Sequence, residues 1–258
     1  MKAKHLLAFI MIFSVVLMGS SAAPNNPDYI TIRGERFSTT LTELRLFDMD
    51  LTDEEITPLR HMTSLTQLSL LSNQISDTTP LAGLTHLEYL QLSSNQINDV
   101  TPLAGLTNLE SLYLQDNQIN DLAPLAELTN LTRLFLGANQ ISDISPLAGL
   151  ANLEILPLHH NQISDITPLA ELTNLTELFL DGNRISNISP LSGLTSVQRL
   201  GLSANEINDI TPLVELTNLT ELFLDGNRID DITPLAELTN LLDLHLQDNP
   251  NFNPLTGR

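Results

Sequence analysis

The residues best suited to chemistry are carboxylates that recur in two copies of one phrase. The segment ELFLD occurs twice, placing Glu177 and Asp181 in the first copy and Glu221 and Asp225 in the second. Paired carboxylates can act as a general acid and base, or they can bind a cation. Here they repeat regularly and fall on a predicted open surface, so we interpret them as a solvated acidic face.

Two adjacent histidines, His159 and His160, are candidate metal ligands. Neighbouring residues of a strand point to opposite faces, which argues against a shared site, and no metal site is predicted. The chain has no Cys, so thiolate ligands and cysteine nucleophiles are excluded. It contains no nucleophile–base pair, phosphate-binding loop or HExxH motif. We therefore expect no cofactor and no enzymatic activity.

Aromatic residues make up 4% of the chain, so their placement is informative. Five lie at predicted solvent-facing strand positions: Tyr89, Tyr113, Phe135, Phe179 and Phe223. Neighbouring columns carry the charged residues Arg133, Glu177, Arg199, Glu221 and Asp225. Exposed aromatic clusters anchor protein partners, and we predict that these ten residues bind one. The alternative is that the rings simply suit parallel strands and shield the sheet.

A repeat of 22 residues places these side chains. It is marked by asparagines at a constant spacing: Asn73, Asn95, Asn117, Asn139, Asn161, Asn183, Asn205, Asn227 and Asn249. Around each runs the frame L-x-x-L-x-L-x-x-N-x-I, in which L-x-L predicts a short strand with one buried face. Strands one coil apart can pair only in parallel. A buried amide needs partners, so we predict that the asparagines form a structural ladder with the backbones of adjacent coils.

This frame resembles the leucine-rich-repeat family, and the version closing with ITPLAELTNL is similar to the internalin type of bacterial surface proteins. The resemblance covers residues 41–249. It implies an α/β solenoid, curved as a horseshoe or arc, with a parallel sheet on its concave face. Thr-Pro or Ser-Pro begins each return segment, which is too short for a stable α-helix, so the convex face should carry 3-10 turns.

The aspartates where each strand leads into its turn are predicted to accept backbone N–H bonds, a structural role. They are Asp77, Asp99, Asp121, Asp143, Asp165, Asp209 and Asp231.

The ends divide the chain further. Residues 1–22 are predicted to be a signal peptide, with Lys2 and Lys4 before an apolar run that is too short to span a bilayer. Residues 23–40 should form a capping hairpin or edge strand. About ten repeats follow over 41–249, with an irregular first coil in which Met49 replaces the ladder asparagine. Residues 250–258 are expected to cap the last coil through Phe252 and Leu255.

Charge restricts the partners. Without residues 1–22 the chain has 9 Arg against 31 Asp and Glu, a net charge of 9 − 31 = −22. A polyanion repels nucleic acid and anionic membrane surfaces, so neither is an expected partner. No transmembrane segment is expected in the mature chain. We predict a monomeric, secreted or surface-associated bacterial protein that binds a protein, possibly a host extracellular one, or a glycan on its concave face. The alternatives are an intracellular regulatory scaffold, a glycan-acting enzyme that uses the acidic face, and a fragment or remnant whose partner-binding domain is missing.

Overall fold

A computed structural model describes residues 27–250. Its main element is a parallel sheet of ten strands in sequential order. The strands are β3 (Glu43–Arg45), β4 (Gln67–Ser69), β5 (Tyr89–Gln91), β6 (Ser111–Tyr113), β7 (Arg133–Phe135), β8 (Ile155–Pro157), β9 (Glu177–Phe179), β10 (Arg199–Gly201), β11 (Glu221–Phe223) and β12 (Asp243–His245). The leucine-rich-repeat fold predicted from the 22-residue period is confirmed.

The core follows from the alternation within each coil. Leu178 and Leu180 are fully buried, whereas Phe179 between them is half-buried on the opposite face of the sheet. The equivalent leucines of the neighbouring coils stack in register, as in the pairing of Leu178 with Leu200. The core is therefore one continuous column of leucine and isoleucine, to which each coil contributes by packing on its neighbours.

The side opposite the sheet carries nine short 3-10 turns within the described residues. They span Thr57–His61, Thr79–Leu81, Thr101–Leu103, Ala123–Leu125, Ser145–Leu147, Thr167–Leu169, Ser189–Gly193, Thr211–Leu213 and Thr233–Glu237. The aspartate two residues before a turn accepts a backbone N–H bond, as Asp165 Oδ1 does from Thr167 at 2.9 Å. The first coil differs, because a Thr52–Glu55 capping box starts a single α-helical turn there, α1 (Asp53–Ile56).

The nine asparagines form a continuous ladder beneath the sheet edge. In a typical rung, Asn95 Oδ1 accepts the Ile75 N–H at 3.0 Å. Its Nδ2 donates to Leu70 O in the preceding coil and to Leu92 O in its own, both at 3.0 Å. Each amide therefore satisfies buried backbone groups of two coils, and this locks the register between them.

The N-terminal end is covered by an antiparallel hairpin of β1 (Tyr29–Ile32) and β2 (Glu35–Ser38). Ile30, Ile32 and Phe37 are buried against the first coil. Arg33 fixes the hairpin by donating to Glu55 Oε1 at 2.7 Å, and also to the carbonyl oxygens of Met49 and Asp50. Hydrogen bonds from Arg33 lower the pKa of Glu55 to about 2.

The C-terminal end is more open within the described part of the chain. Leu242, directly before β12, is 88% exposed, and Leu244 within β12 is 40% exposed. The predicted plug residues Phe252 and Leu255 lie outside the described residues, and so does the predicted signal peptide, residues 1–22. None of the helices in residues 27–250 has the length and apolar character that a membrane span requires.

Candidate functional site on the concave face

The outward-facing strand residues form columns across the concave face. Each coil places one residue next to its equivalents 22 positions away, as Tyr113 lies beside Phe135 in the register of β6 and β7. Adjacent strands are about 4.8 Å apart, so residues of one column touch directly. The concave face is therefore a regular array of side-chain positions, and the residue at each position decides the local chemistry of the surface.

Three of the predicted aromatic residues form a contiguous group, here called the aromatic cluster: Tyr89, Tyr113 and Phe135. The ring centroids of Tyr113 and Phe135 lie 4.5 Å apart with their planes at 20°, and those of Tyr89 and Tyr113 lie 5.2 Å apart. All three rings are half-buried, and burial raises the pKa of the Tyr89 hydroxyl. Phe135 stacks on one side of Tyr113 and Tyr89 lies on the other side, tilted by 46°, so the edge of the Tyr113 ring is the part most open to a partner.

A recess of about 340 Å³ continues the aromatic cluster toward the N-terminal end. Its walls include Tyr89 and Phe47, and the polar residues Gln67 and Ser69 also line it. Phe47 is 40% exposed. Phe47 was not predicted, although it follows Leu44-Arg45-Leu46 at the position that Gln115 and Asp181 hold in later coils. Its position two residues after β3 was the available signal.

Arg133 lies one column from Phe135, on the same strand. Its side chain is exposed, and within residues 27–250 it forms no ion pair. A free guanidinium beside a group of rings is available for a carboxylate of a partner.

A second group, here called the arginine–carboxylate cluster, lies further along the sheet and comprises Glu177, Arg199 and Glu221. Arg199 Nε donates to Glu221 Oε2 at 2.8 Å, and its NH1 donates to Glu177 Oε2 at 3.0 Å. These bonds raise the pKa of Arg199, the one to Glu221 most. Its guanidinium also lies 5.3 Å from the ring centroid of Phe179. These predicted contact residues are thus already engaged with one another.

The remaining predicted rings are dispersed. Phe179 and Phe223 are separated by Gly201 in the same column. Phe223 instead contacts His245, with ring centroids 4.9 Å apart, and His245 Nδ1 lies 3.7 Å from Asp225 Oδ2. The predicted five-ring stripe is therefore one cluster of three rings and two separate ones.

The structure corrects two expectations about the middle of the sheet. His159 and His160 were expected to point to opposite sides, but their ring centroids lie 5.6 Å apart. His160 has a left-handed backbone, with φ of 54°, which breaks the alternation. Desolvation lowers the pKa of His159. No group of three or more metal-binding side chains occurs within residues 27–250.

Asp181 was expected to be fully solvated, yet burial raises its pKa. Its carboxylate lies against Gly201, where a Cβ atom would overlap it, and its Oδ1 accepts the Ser203 N–H at 2.9 Å. Glycine in the neighbouring coil therefore makes the space that buries this acid.

The chain is similar to known leucine-rich-repeat proteins. A family model described as "Leucine Rich repeats (2 copies)" matches residues 85–127, 129–171 and 173–215. No curated protein sequence matches significantly. An internalin (inlF) of Listeria monocytogenes has a TM-score of 0.72 and 31% identity, covering 84% of this chain and 71% of that one.

Two further solved structures are similar. Internalin C2 of Listeria monocytogenes has a TM-score of 0.60 and 34% identity, with coverage of 82% of this chain and 85% of the other. A leucine-rich-repeat protein of Leptospira interrogans has a TM-score of 0.60 and 25% identity over 77% of this chain and 64% of the other. The chain belongs to the leucine-rich-repeat family and is similar in structure to the Listeria internalins.

Proposed function

We propose that this chain is a secreted or surface-associated binding protein that recognises a protein partner on its concave face. The aromatic cluster is the observation that carries the proposal. Tyr89, Tyr113 and Phe135 form a contiguous group of half-buried rings on a sheet that a buried hydrogen-bond ladder holds rigid. Large rings on a preorganised surface contribute binding energy at a low cost in ordering.

The ring geometry favours a protein over a glycan as the partner. A sugar stacks on an open ring face, whereas Tyr113 has a ring on each side, at 5.2 and 4.5 Å. Ring edges carry partial positive charge and pack against the faces of other aromatic side chains or against aliphatic groups. We infer that a partner inserts an apolar or aromatic side chain at the aromatic cluster and places an acidic group near Arg133.

The carboxylates support a binding role in preference to a catalytic one. Glu177 and Glu221 both accept hydrogen bonds from Arg199, so each carboxylate is engaged in an ion pair on the open face of the sheet. A general acid or base must lie within hydrogen-bond reach of the substrate, and a carboxylate oxygen that is bound to arginine is not available for that. We therefore assign these residues to charge complementarity at the margin of the interface.

The test is a binding screen of the secreted form against extracellular proteins and glycans. It is run beside a variant with Tyr89, Tyr113 and Phe135 changed to alanine. We expect a protein partner that the wild type retains and the folded variant loses. A partner that both bind equally would move the site away from the aromatic cluster, and a glycan bound by the wild type alone would overturn the choice of a protein partner.

A separate measurement tests whether the protein is exported. Edman sequencing or mass spectrometry of the exported protein should give a mature N-terminus at residue 23. Accumulation of the intact chain inside cells would instead favour the intracellular scaffold.

A further inference from the structure

The last strand leaves backbone groups free at one edge of the sheet within the described residues. β12 pairs with β11 on one side. The His245 C=O accepts from Leu224 N–H at 2.9 Å, and the Asp243 N–H donates to Thr220 C=O at 3.0 Å. Backbone groups alternate sides along a strand, so the N–H and C=O of Leu244 face outward. Such an edge is a template for another strand.

The side chains at this edge are apolar where the preceding coils are polar. Leu242 occupies the position that Thr220, Gln198 and Thr176 hold in the three preceding coils. Its side chain is 88% exposed, and that of Leu244 is 40% exposed. Exposed leucine on an unpaired edge strand is a feature of contact surfaces, because soluble proteins otherwise protect such edges with charge.

The edge segment is complementary to itself. Residues 242–246 read Leu-Asp-Leu-His-Leu. Antiparallel pairing with a second copy, centred on Leu244, aligns Asp243 of each copy with His245 of the other. It also aligns Leu242 with Leu246 and Leu244 with its equivalent. The two Leu244 residues then form a reciprocal pair of N–H···O=C bonds, and a two-fold axis generates every contact twice.

We propose that two copies of this chain associate through antiparallel pairing of β12, joining two ten-stranded sheets into one continuous sheet. The proposal departs from the monomer that the sequence suggested, and it is independent of the aromatic cluster. The chain's own residues 251–258 are a competing occupant of the edge. They bring one charged side chain, Arg258. Within one copy His245 Nε2 lies 3.1 Å from Asp243 Oδ1, and a second copy places another such pair beside it in the opposite direction, so that acidic and imidazole side chains alternate.

Sedimentation equilibrium of the purified chain over a range of concentrations tests the proposal. We expect a monomer–dimer equilibrium that Leu242→Asp weakens at least about tenfold. Leu242→Thr is the matched control for folding, because Thr occupies this position in other coils, and it should weaken the dimer less. Circular dichroism should be unchanged in both variants. A monomer at every concentration, or a dimer indifferent to Leu242→Asp, would overturn the proposal.

Two further variants test the register and the competing occupant. Asp243→Arg and His245→Asp should each weaken self-association, whereas an equimolar mixture should form a heterodimer, because the new Arg and the new Asp then face each other. A mixture that stays monomeric contradicts the register. A chain ending at residue 250 should dimerise as the full chain does. If only the shortened chain dimerises, residues 251–258 occupy the edge instead.

Discussion

The two halves of the concave face share one scaffold and differ in whether their side chains are already paired. On the strands themselves, β4–β7 carry a single charged residue, Arg133, and display the aromatic cluster. Strands β9–β12 carry four charged residues: Glu177, Arg199, Glu221 and Asp243. Arg199 forms ion pairs with both Glu177 and Glu221. The first half is free to meet a partner, while the second has internal partners to give up.

This contrast shows what the repeat leaves variable. Beneath both halves the leucines and the asparagine ladder are the same, so backbone rigidity does not distinguish them. The difference lies in which residues occupy neighbouring positions of one column, 22 residues apart. Aromatic residues in adjacent coils stack on one another, whereas an arginine between two glutamates forms ion pairs with both of them.

The largest expected effect separates the two halves by affinity. Tyr113→Ala combined with Phe135→Ala should weaken binding of the partner by about 100-fold or more, because two central anchors are lost. The matched pair Phe179→Ala and Phe223→Ala removes as many rings from the other half, and we expect about tenfold or less. Surface plasmon resonance with folded variants measures both, and equal losses would remove the distinction.

A second prediction concerns the scaffold that the halves share. Asn117→Ala leaves the Ile97 N–H and the carbonyl oxygens of Leu92 and Leu114 without this partner. We expect a loss of about 2–4 kcal/mol in the free energy of unfolding. Asn205→Ala, under the ion-paired half, should cost the same within error. Urea denaturation checks this, and a markedly smaller loss at either position would show that the ladder is uneven.

A third prediction uses the two arginines. Arg199→Ala breaks two ion pairs and should destabilise the fold by roughly 0.5–1 kcal/mol, because both pairs are partly exposed and screened. Arg133→Ala breaks no ion pair within residues 27–250 and should change the free energy of unfolding by less than about 0.5 kcal/mol. Yet Arg133→Ala should be the more harmful to binding. Chemical denaturation and affinity measurements on the same samples check both effects. A larger loss of affinity for Arg199→Ala than for Arg133→Ala would contradict the prediction.

The smallest effect concerns the boundary between the halves. Desolvation lowers the pKa of His159 in the folded chain below the 6.5 of an unfolded chain. As the pH falls, the imidazole is therefore protonated in the unfolded chain before it is protonated in the folded one. Stability should therefore decrease below pH 6.5, by a fraction of ~1 kcal/mol because the ring is half-exposed. His159→Asn should flatten this part of the curve of melting temperature against pH. An unchanged curve would show that His159 does not contribute.

The scaffold was predictable because its period fixes every neighbour. Asn95 must meet the coil that begins 22 residues earlier, and a buried amide must find partners there. The same logic could have paired Arg199 with Glu177 and Glu221, since they lie one repeat to either side. All three residues were predicted to contact a partner, but their contacts with one another were not predicted.

Other features depend on atoms that a repeat pattern does not specify. The burial of Asp181 needs the absence of a side chain at Gly201, in a different coil. The contact between His159 and His160 needs a left-handed backbone, which alternation along a strand does not anticipate. Phe47, by contrast, was predictable, because it follows the alternation of Leu44 and Leu46 at the position that Asp181 holds in its own coil.

The most direct test of the central claim is hydroxyl-radical footprinting of the chain with and without its partner, read out by mass spectrometry. We expect oxidation of Tyr89, Tyr113 and Phe135 to decrease in the complex, while oxidation of Phe179 and Phe223 changes little. Unchanged oxidation of the three clustered rings, with protection on the 3-10 turns or at the ends of the solenoid, would contradict it.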